Sequence, residues 1–339
     1  MPILVMKDWV EKRLATPPRA TCRATTPEEF RAWQRRFRAL TRRALGPFPE
    51  SVPLDSHVLE RTDCGTYVRE KVIFESEPAM AVVAWVLTPK GLKKGERRPA
   101  LICSHGHHLG KDPVVGINEK GEPYEDYQHR HGARFAERGY VVIAPDWRGF
   151  GERRDSEPWD RKGCAGCNVR ALAAGHFGYS LLALQIHDGV RCVDYLLTKP
   201  EVDGRRIGCV GVSFGGTMTT YLTALDRRIK VGVISCYLST IANGLVRGNF
   251  CGVDFLPDLP LFGDIPDVAL LAAPKPLLAE VGEFDTCYQL DDADIACERV
   301  RRGYEAAGVP DRFDVDRFPG RHEFSGRKAF DWFDRWLRR

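Results

Sequence analysis

The stretch RIGCVGVSFGGTMTTYLTAL, residues 206–225, decides how this chain is read. Its first part, Ile207 to Val212, is a short apolar run bounded by charge, the pattern of a buried strand. Its last part, from Thr217 to Leu225, carries neither Gly nor Pro and suits a helix. Between them stands Gly211-Val212-Ser213-Phe214-Gly215-Gly216. A serine on so sharp a strand-to-helix turn needs glycine two before and two after it, because side chains there would collide with crowded backbone; the turn then lifts Oγ into the open.

Working outward, apolar runs alternate with helical patterns. YVREKVIFES (67–76) and AMAVVAWVLTP (79–89) read as an antiparallel opening pair. PALICSHG (99–106), YVVIAPD (140–146), the strand at 206–213, KVGVISC (230–236), KPLLAEVGE (275–283) and FDVDRF (313–318) follow as further strands. Helices are predicted near 127–138, 176–198, 215–225, 292–307 and from 326 onward. This alternation predicts an α/β fold: a mostly parallel, doubly wound sheet of about eight strands with helices on both faces. Ligands of such sheets sit beyond the carboxyl ends of the strands. Two segments, 149–174 and 238–273, leave those ends and fit no strand or helix; they are expected to wall the site and to recognise the substrate.

Residues 1–50 read as a helical extension and 51–339 as the catalytic domain. Within the extension, Thr26 caps, Pro27 opens the helix and Glu29 completes a capping box. Phe30, Trp33, Phe37, Leu40 and Ala44 then recur at helical spacing, so that one face packs on the main domain. The same amphipathic helix offers a contact surface for a homo-oligomer.

A serine hydroxyl needs a base to take its proton and a carboxylate to hold that base in the useful tautomer. Among nine histidines, His322 alone lies on a loop after a late strand and before the terminal helix, with Gly320 freeing the backbone. Asp285, three after Gly282 at a strand end, is the preferred acid, and Glu283 the fallback. For the tetrahedral oxyanion, the backbone N–H of Phe214 and that of His107, with His108 next, are the expected donors. His108, Trp147 and Cys251 are expected to touch substrate. The ordinary reading of Arg148 is an ion pair that shapes its loop. The His105, His107, His108 and Asp112 grouping suggests a metal, but an oxyanion loop explains it better, and no helix-borne H-E-x-x-H accompanies it. Cys164 and Cys167, a lone C-x-x-C, read as free loop thiols. No cofactor and no metal is expected.

Bulk composition narrows the class. In 339 residues, 50 basic against 46 acidic side chains leave a net charge of only +4, with no sustained basic block, so no nucleic-acid partner is indicated. No apolar run approaches the length of a membrane span. The start, MPILVMKDWVEKR, has no basic n-region or cleavage site and is expected to stay on the mature protein. Eleven cysteines without a regular framework favour reduced thiols and a cytoplasmic location.

With these residues in hand, the chain resembles the dienelactone-hydrolase and acetyl xylan esterase branch of the α/β-hydrolases, among bacterial esterases with an N-terminal helical extension. The resemblance runs from about residue 27 to the end. It rests on GPFPE (46–50), YVREKVIF (67–74), SHGHH (104–108), APDWRGFGER (144–153), KPEVDGRRIGCVGVSFGG (199–216), ALDRRIKVG (224–232), APKPLL (273–278), GEFD (282–285) and GRHEF (320–324). It implies hydrolysis of a small-molecule carboxylic ester through an acyl-enzyme, with Ser213, Asp285 and His322 in the family's three roles. An acyltransferase or a peptidase would use the same residues, whereas a non-catalytic binding homologue would be expected to have lost one.

Overall fold

A computed structural model describes residues 4–161 and 164–338, the Cys164 side chain excepted. In chain order the helices are α1 (Met6–Leu14), α2 (Pro27–Leu45), α3 (His131–Glu137), α4 (Cys164–His176), α5 (Leu181–Thr198), α6 (Phe214–Leu225), α7 (Ile241–Arg247), α8 (Leu259–Phe262), α9 (Ile265–Leu270), α10 (Leu290–Ala306) and α11 (Ala329–Leu337). The strands are β1 (His57–Asp63), β2 (Tyr67–Glu77), β3 (Met80–Pro89), β4 (Arg98–Ser104), β5 (Val141–Pro145), β6 (Val202–Val212), β7 (Ile229–Ser235), β8 (Leu277–Gly282) and β9 (Phe313–Phe318). They form one sheet in the order β1-β2-β3-β5-β4-β6-β7-β8-β9. The pairings β1·β2, β2·β3 and β3·β5 are antiparallel, and every pairing beyond β5 in that order is parallel.

The sheet is covered on both faces, as a parallel sheet must be. Along β4, Ala100 and Ile102 enter the core under α5 and α6, while Leu101 and Cys103 enter the core under α3 and α11. That period of two places each strand's carboxyl end between two apolar layers and leaves only the loops beyond it free for chemistry.

Helix α2 lies over the larger core. Phe30, Trp33 and Phe37 are buried, each worth roughly 2–3 kcal/mol in removed apolar surface. Polar atoms on its flank fix its position: Gln34 Nε2 donates to Ala273 O at 2.7 Å and Arg38 Nη2 to Leu271 O at 2.7 Å. The cap is doubled, since Thr26 Oγ1 accepts from Glu29 N while Thr25 N donates to the Glu29 carboxylate.

Three sequence expectations change. The sheet has a ninth strand, β1, which pattern reading misses because nearly every residue of HVLERTD is exposed; pairing with β2, not burial, makes it a strand. Segment 149–174 is not all loop, for α4 occupies its second half, and 238–273 contains α7, α8 and α9. Cys167 therefore sits on a helix and not in a loop; the Cys164 side chain lies outside the described residues.

Candidate active site

Ser213 closes β6 and caps α6 with φ 61° and ψ −123°, a left-handed conformation that costs a residue with a side chain on the order of 1–3 kcal/mol. The surroundings hold it there. Its N–H donates to Ser235 O at 3.0 Å, and its carbonyl accepts from Gly216 N at 2.7 Å. A Cβ on Gly211 would stand 2.6 Å from the Gly215 backbone, and one on Gly215 only 2.2 Å from Ser104 O. Both glycines are therefore required by close approach of β4 to the turn.

Asp285 and His322 arrive on the loops after β8 and β9. The His322 Nδ1–H donates to Asp285 Oδ2 at 2.8 Å. The other carboxylate oxygen accepts from the N–H groups of Cys287 and Tyr288, at 2.7 and 3.0 Å, so the carboxylate cannot turn away. Glu283, the fallback acid, points into solvent. The two loops meet closely because Gly282 has no Cβ; one there would sit 2.2 Å from Arg321 O. The His322 ring is held between Tyr127 and Tyr288, each stacked at 5.8 Å with interplanar angles of 27° and 21°. Its Nε2 is the edge left for chemistry.

Tyr127 also reaches the loop after β4. Its hydroxyl donates to His107 O at 3.0 Å, and a Cβ on Gly106 would stand 2.2 Å from that hydroxyl and 3.1 Å from Ser213 Cβ. Burial keeps this phenol protonated by raising its pKa above the ordinary value. Ser213, Gly106, Tyr127 and His322 thus form one contiguous group.

The loop after β4 is anchored at both ends. His105 is fully buried, its Nδ1–H donating to Gly106 O and its Nε2 accepting from Trp147 N; burial lowers its pKa to about 3, so the ring is neutral and locked in one tautomer. At the far end, buried Lys111 donates to Asp146 at 2.9 Å and Glu152 at 2.6 Å. Gly106 N donates to Gln128 Oε1, which fixes the His105–Gly106 peptide. Among the described residues, the N–H groups of Phe214 and His107 have no protein acceptor.

Several expectations for substrate contact are corrected. Trp147 is fully buried in the larger core and does not face the site. Cys251 is 3% exposed and turns its thiol to His107 Nε2, 3.3 Å away. His108 alone keeps an open position, its ring 3.1 Å from Asp126 and bordering a cleft of about 410 Å³ with Trp85 and Asp112. The His105, His107, His108 and Asp112 grouping does not converge, since Asp112 accepts from Trp85 Nε1 and both ring nitrogens of His105 are taken. Arg148 makes the expected ion pair, to Asp188 at 2.8 Å, and a second to Glu77 at 2.7 Å.

Sequence reading missed Tyr127, Tyr288 and Gln128, which hold His322 and the 105–112 loop. It also missed the company of Cys167, which lies with Cys251 and His107 in a buried cluster. A hydrogen bond from Cys251, then the His107 ring, hold the Cys167 thiol down to about 5 against burial; the same pairing pushes Cys251 up.

A twisted, mostly parallel sheet with a strained serine after β6 and an acid–histidine pair on the loops after β8 and β9 defines an α/β-hydrolase fold. The chain belongs to the Abhydrolase family, whose model matches residues 7–331. It is 26% identical over 309 residues to YtaP of Bacillus subtilis (strain 168), a candidate hydrolase, covering 87% of this chain and 97% of that one. Among solved structures it superposes on a candidate acetyl xylan esterase of Bacteroides fragilis NCTC 9343 with a TM-score of 0.76 and 22% identity, over 94% of this chain and 83% of the other. Acetyl xylan esterase 1 of Thermoanaerobacterium sp. JW/SL YS485 gives a TM-score of 0.61 at 18% identity, over 99% and 98%. Among the described residues, no helix is long and apolar enough to cross a membrane.

Proposed function

We propose that the chain is a serine-dependent carboxylic ester hydrolase, with Ser213 as nucleophile, His322 as base and Asp285 as the residue that orients it. The observation that carries this reading is the Asp285–His322 hydrogen bond of 2.8 Å, on a ring stacked beside Tyr127 and Tyr288, with Gly106 between the Tyr127 hydroxyl and Ser213. Ser213 Oγ attacks the ester carbonyl carbon while His322 Nε2 takes its proton. The tetrahedral oxyanion accepts hydrogen bonds from the N–H groups of Phe214 and His107, aided by the amino end of α6. Collapse breaks the bond to the alcohol, which leaves with the proton from His322. Water then attacks the acyl-enzyme by the same route and releases the acid.

Small or sugar-linked acyl esters, acetates foremost, are the proposed substrates, in line with the acetyl xylan esterases that share the fold. His108, exposed and next in sequence to the proposed oxyanion donor His107, is the proposed substrate contact. Ser213→Ala is expected to lower hydrolysis of p-nitrophenyl acetate by at least roughly 10,000-fold with unchanged circular dichroism. A fluorophosphonate probe should label Ser213 in the unaltered protein. Activity retained in the variant overturns the assignment; a panel of acetylated sugars then ranks the substrates.

A further inference from the structure

We propose that His107, Cys167 and Cys251 form a binding site for a thiophilic divalent cation, zinc foremost, where three chain segments meet beside the Ser213 turn. His107 comes from the loop after β4, Cys167 from α4, and Cys251 from the segment after α7. Their Nε2 and two Sγ atoms all lie within 4.8 Å of one another, and Nε2 is 3.3 Å from the Cys251 sulfur. In a tetrahedral site, bonds of about 2.1 Å to nitrogen and about 2.3 Å to sulfur set edges of about 3.5 Å between N and S and about 3.8 Å between two sulfurs. Shifts of a few tenths of an ångström to about 1 Å convert the observed triangle into that geometry.

The surroundings fix the donors. The His107 ring is braced by Phe150 and Phe214, at centroid distances of 5.5 and 5.4 Å, so its edge is aimed at the thiols. Cys167 and Cys251 are 2% and 3% exposed. Their segments are clamped together by Gly252 N, which donates to Asn168 Oδ1 at 2.8 Å, and a Cβ on Gly252 would stand 2.8 Å from Cys167 O. A disulfide would use the two sulfurs alone and leave the imidazole edge without a partner. A cation uses all three donors: two thiols release their protons, and two thiolates with one neutral imidazole around M²⁺ give an assembly without net charge, suited to a buried place. The fourth position stays for water or a further donor. The second His/Cys/Asp grouping, Cys236 with Asp285 and His322, differs, because its acid and histidine are already bonded to each other and Cys236 donates to the Glu323 carbonyl at 3.3 Å.

The full chain, reduced with a phosphine and stripped by a chelator, should take up one equivalent of Co²⁺. The expected spectrum has thiolate-to-cobalt charge-transfer absorption and the visible bands of a tetrahedral ion, both erased by Zn²⁺. Cys167→Ser and Cys251→Ser should each weaken binding by more than the roughly 10- to 100-fold that an outer-shell change costs, while Cys22→Ser and Cys64→Ser leave it intact. Should the Cys167 or Cys251 variants misfold, alkylation of the unaltered protein decides: Zn²⁺ should protect these two thiols, read by peptide mass. No cobalt spectrum in reduced protein, a spectrum that persists in the Cys167→Ser/Cys251→Ser double variant, or equal alkylation with and without Zn²⁺ overturns the site. Because His107 also supplies the proposed oxyanion donor, metal removal should lower kcat more than it changes KM, a consequence that rests on the hydrolase reading. The binding arms do not: Ser213→Ala protein should bind cobalt like the unaltered chain.

Discussion

Two buried aspartates in this molecule, Asp285 and Asp188, have basic partners at 2.8 Å and, on the proposed reaction, opposite uses. Asp188 sits on α5, fully buried, and accepts from Arg148 Nε and Nη2 and from Arg153 Nη1, all within 2.9 Å. Burial opposes its charge, but Arg153 and Arg148 outweigh that and hold it down to about 2. Guanidinium does not give up a proton at any working pH, so this cluster can only fasten β2, the 147–153 turn and α5 together. Asp285 faces a ring that can exchange protons and whose other nitrogen is open. The difference lies in the partner's chemistry and in the unoccupied edge, not in the strength of the contact.

The comparison breaks most sharply with Asp285→Asn. Loss of the orienting carboxylate should lower kcat roughly 10,000-fold with little change in unfolding midpoint, measured by ester hydrolysis and urea denaturation. A large stability loss with activity intact would make Asp285 a fastener like Asp188. Asp188→Ala should do the reverse: it leaves the buried Arg153 without a carboxylate and Arg148 with Glu77 alone, costing about 3–5 kcal/mol in urea, while the molecules that remain folded label with fluorophosphonate as before.

Glu280 sharpens the contrast, as a buried carboxyl whose hydrogen bonds come from Ser325 N and Gly326 N. Burial raises its pKa from 4.5 to about 7. The folded chain therefore holds this proton where the unfolded chain has released it, and the stability it contributes below pH 4.5 is lost as pH rises through about 7. Glu280→Gln carries no such titration. Relative to the unaltered protein, it should gain up to about 3 kcal/mol between pH 5 and pH 8 in chemical unfolding. The smallest effect is expected of Tyr127→Phe. It removes the hydrogen bond to His107 O but keeps the stacked ring, and should lower kcat about tenfold at unchanged KM.

How much of this was legible follows from what each residue answers to. Ser213 is readable because its turn imposes glycines at fixed offsets, a constraint written within six residues. His322 is readable from its place before the last helix. Asp285 and Glu283 are two apart on the same strand end, and what separates them is the close packing of Gly282 on Arg321, a contact across 39 residues. Trp147 reads as a substrate contact because it enters a polar loop, yet its neighbours in space bury it fully in the larger core. Tyr127, Tyr288 and the Cys167–Cys251–His107 group carry no local signature at all. Each depends on segments that only the closed sheet brings together, and the same holds for β1, whose exposed residues are made a strand by β2 alone.

The tyrosine sandwich has one further consequence. With Tyr127 and Tyr288 stacked beside it and Nδ1 tied to Asp285, the imidazole offers attacking and departing oxygens its Nε2 edge alone. On the proposed reaction, the serine proton, the departing alcohol and the incoming water must therefore all be served from that one edge, so the leaving oxygen has to come close to the place the Ser213 proton left.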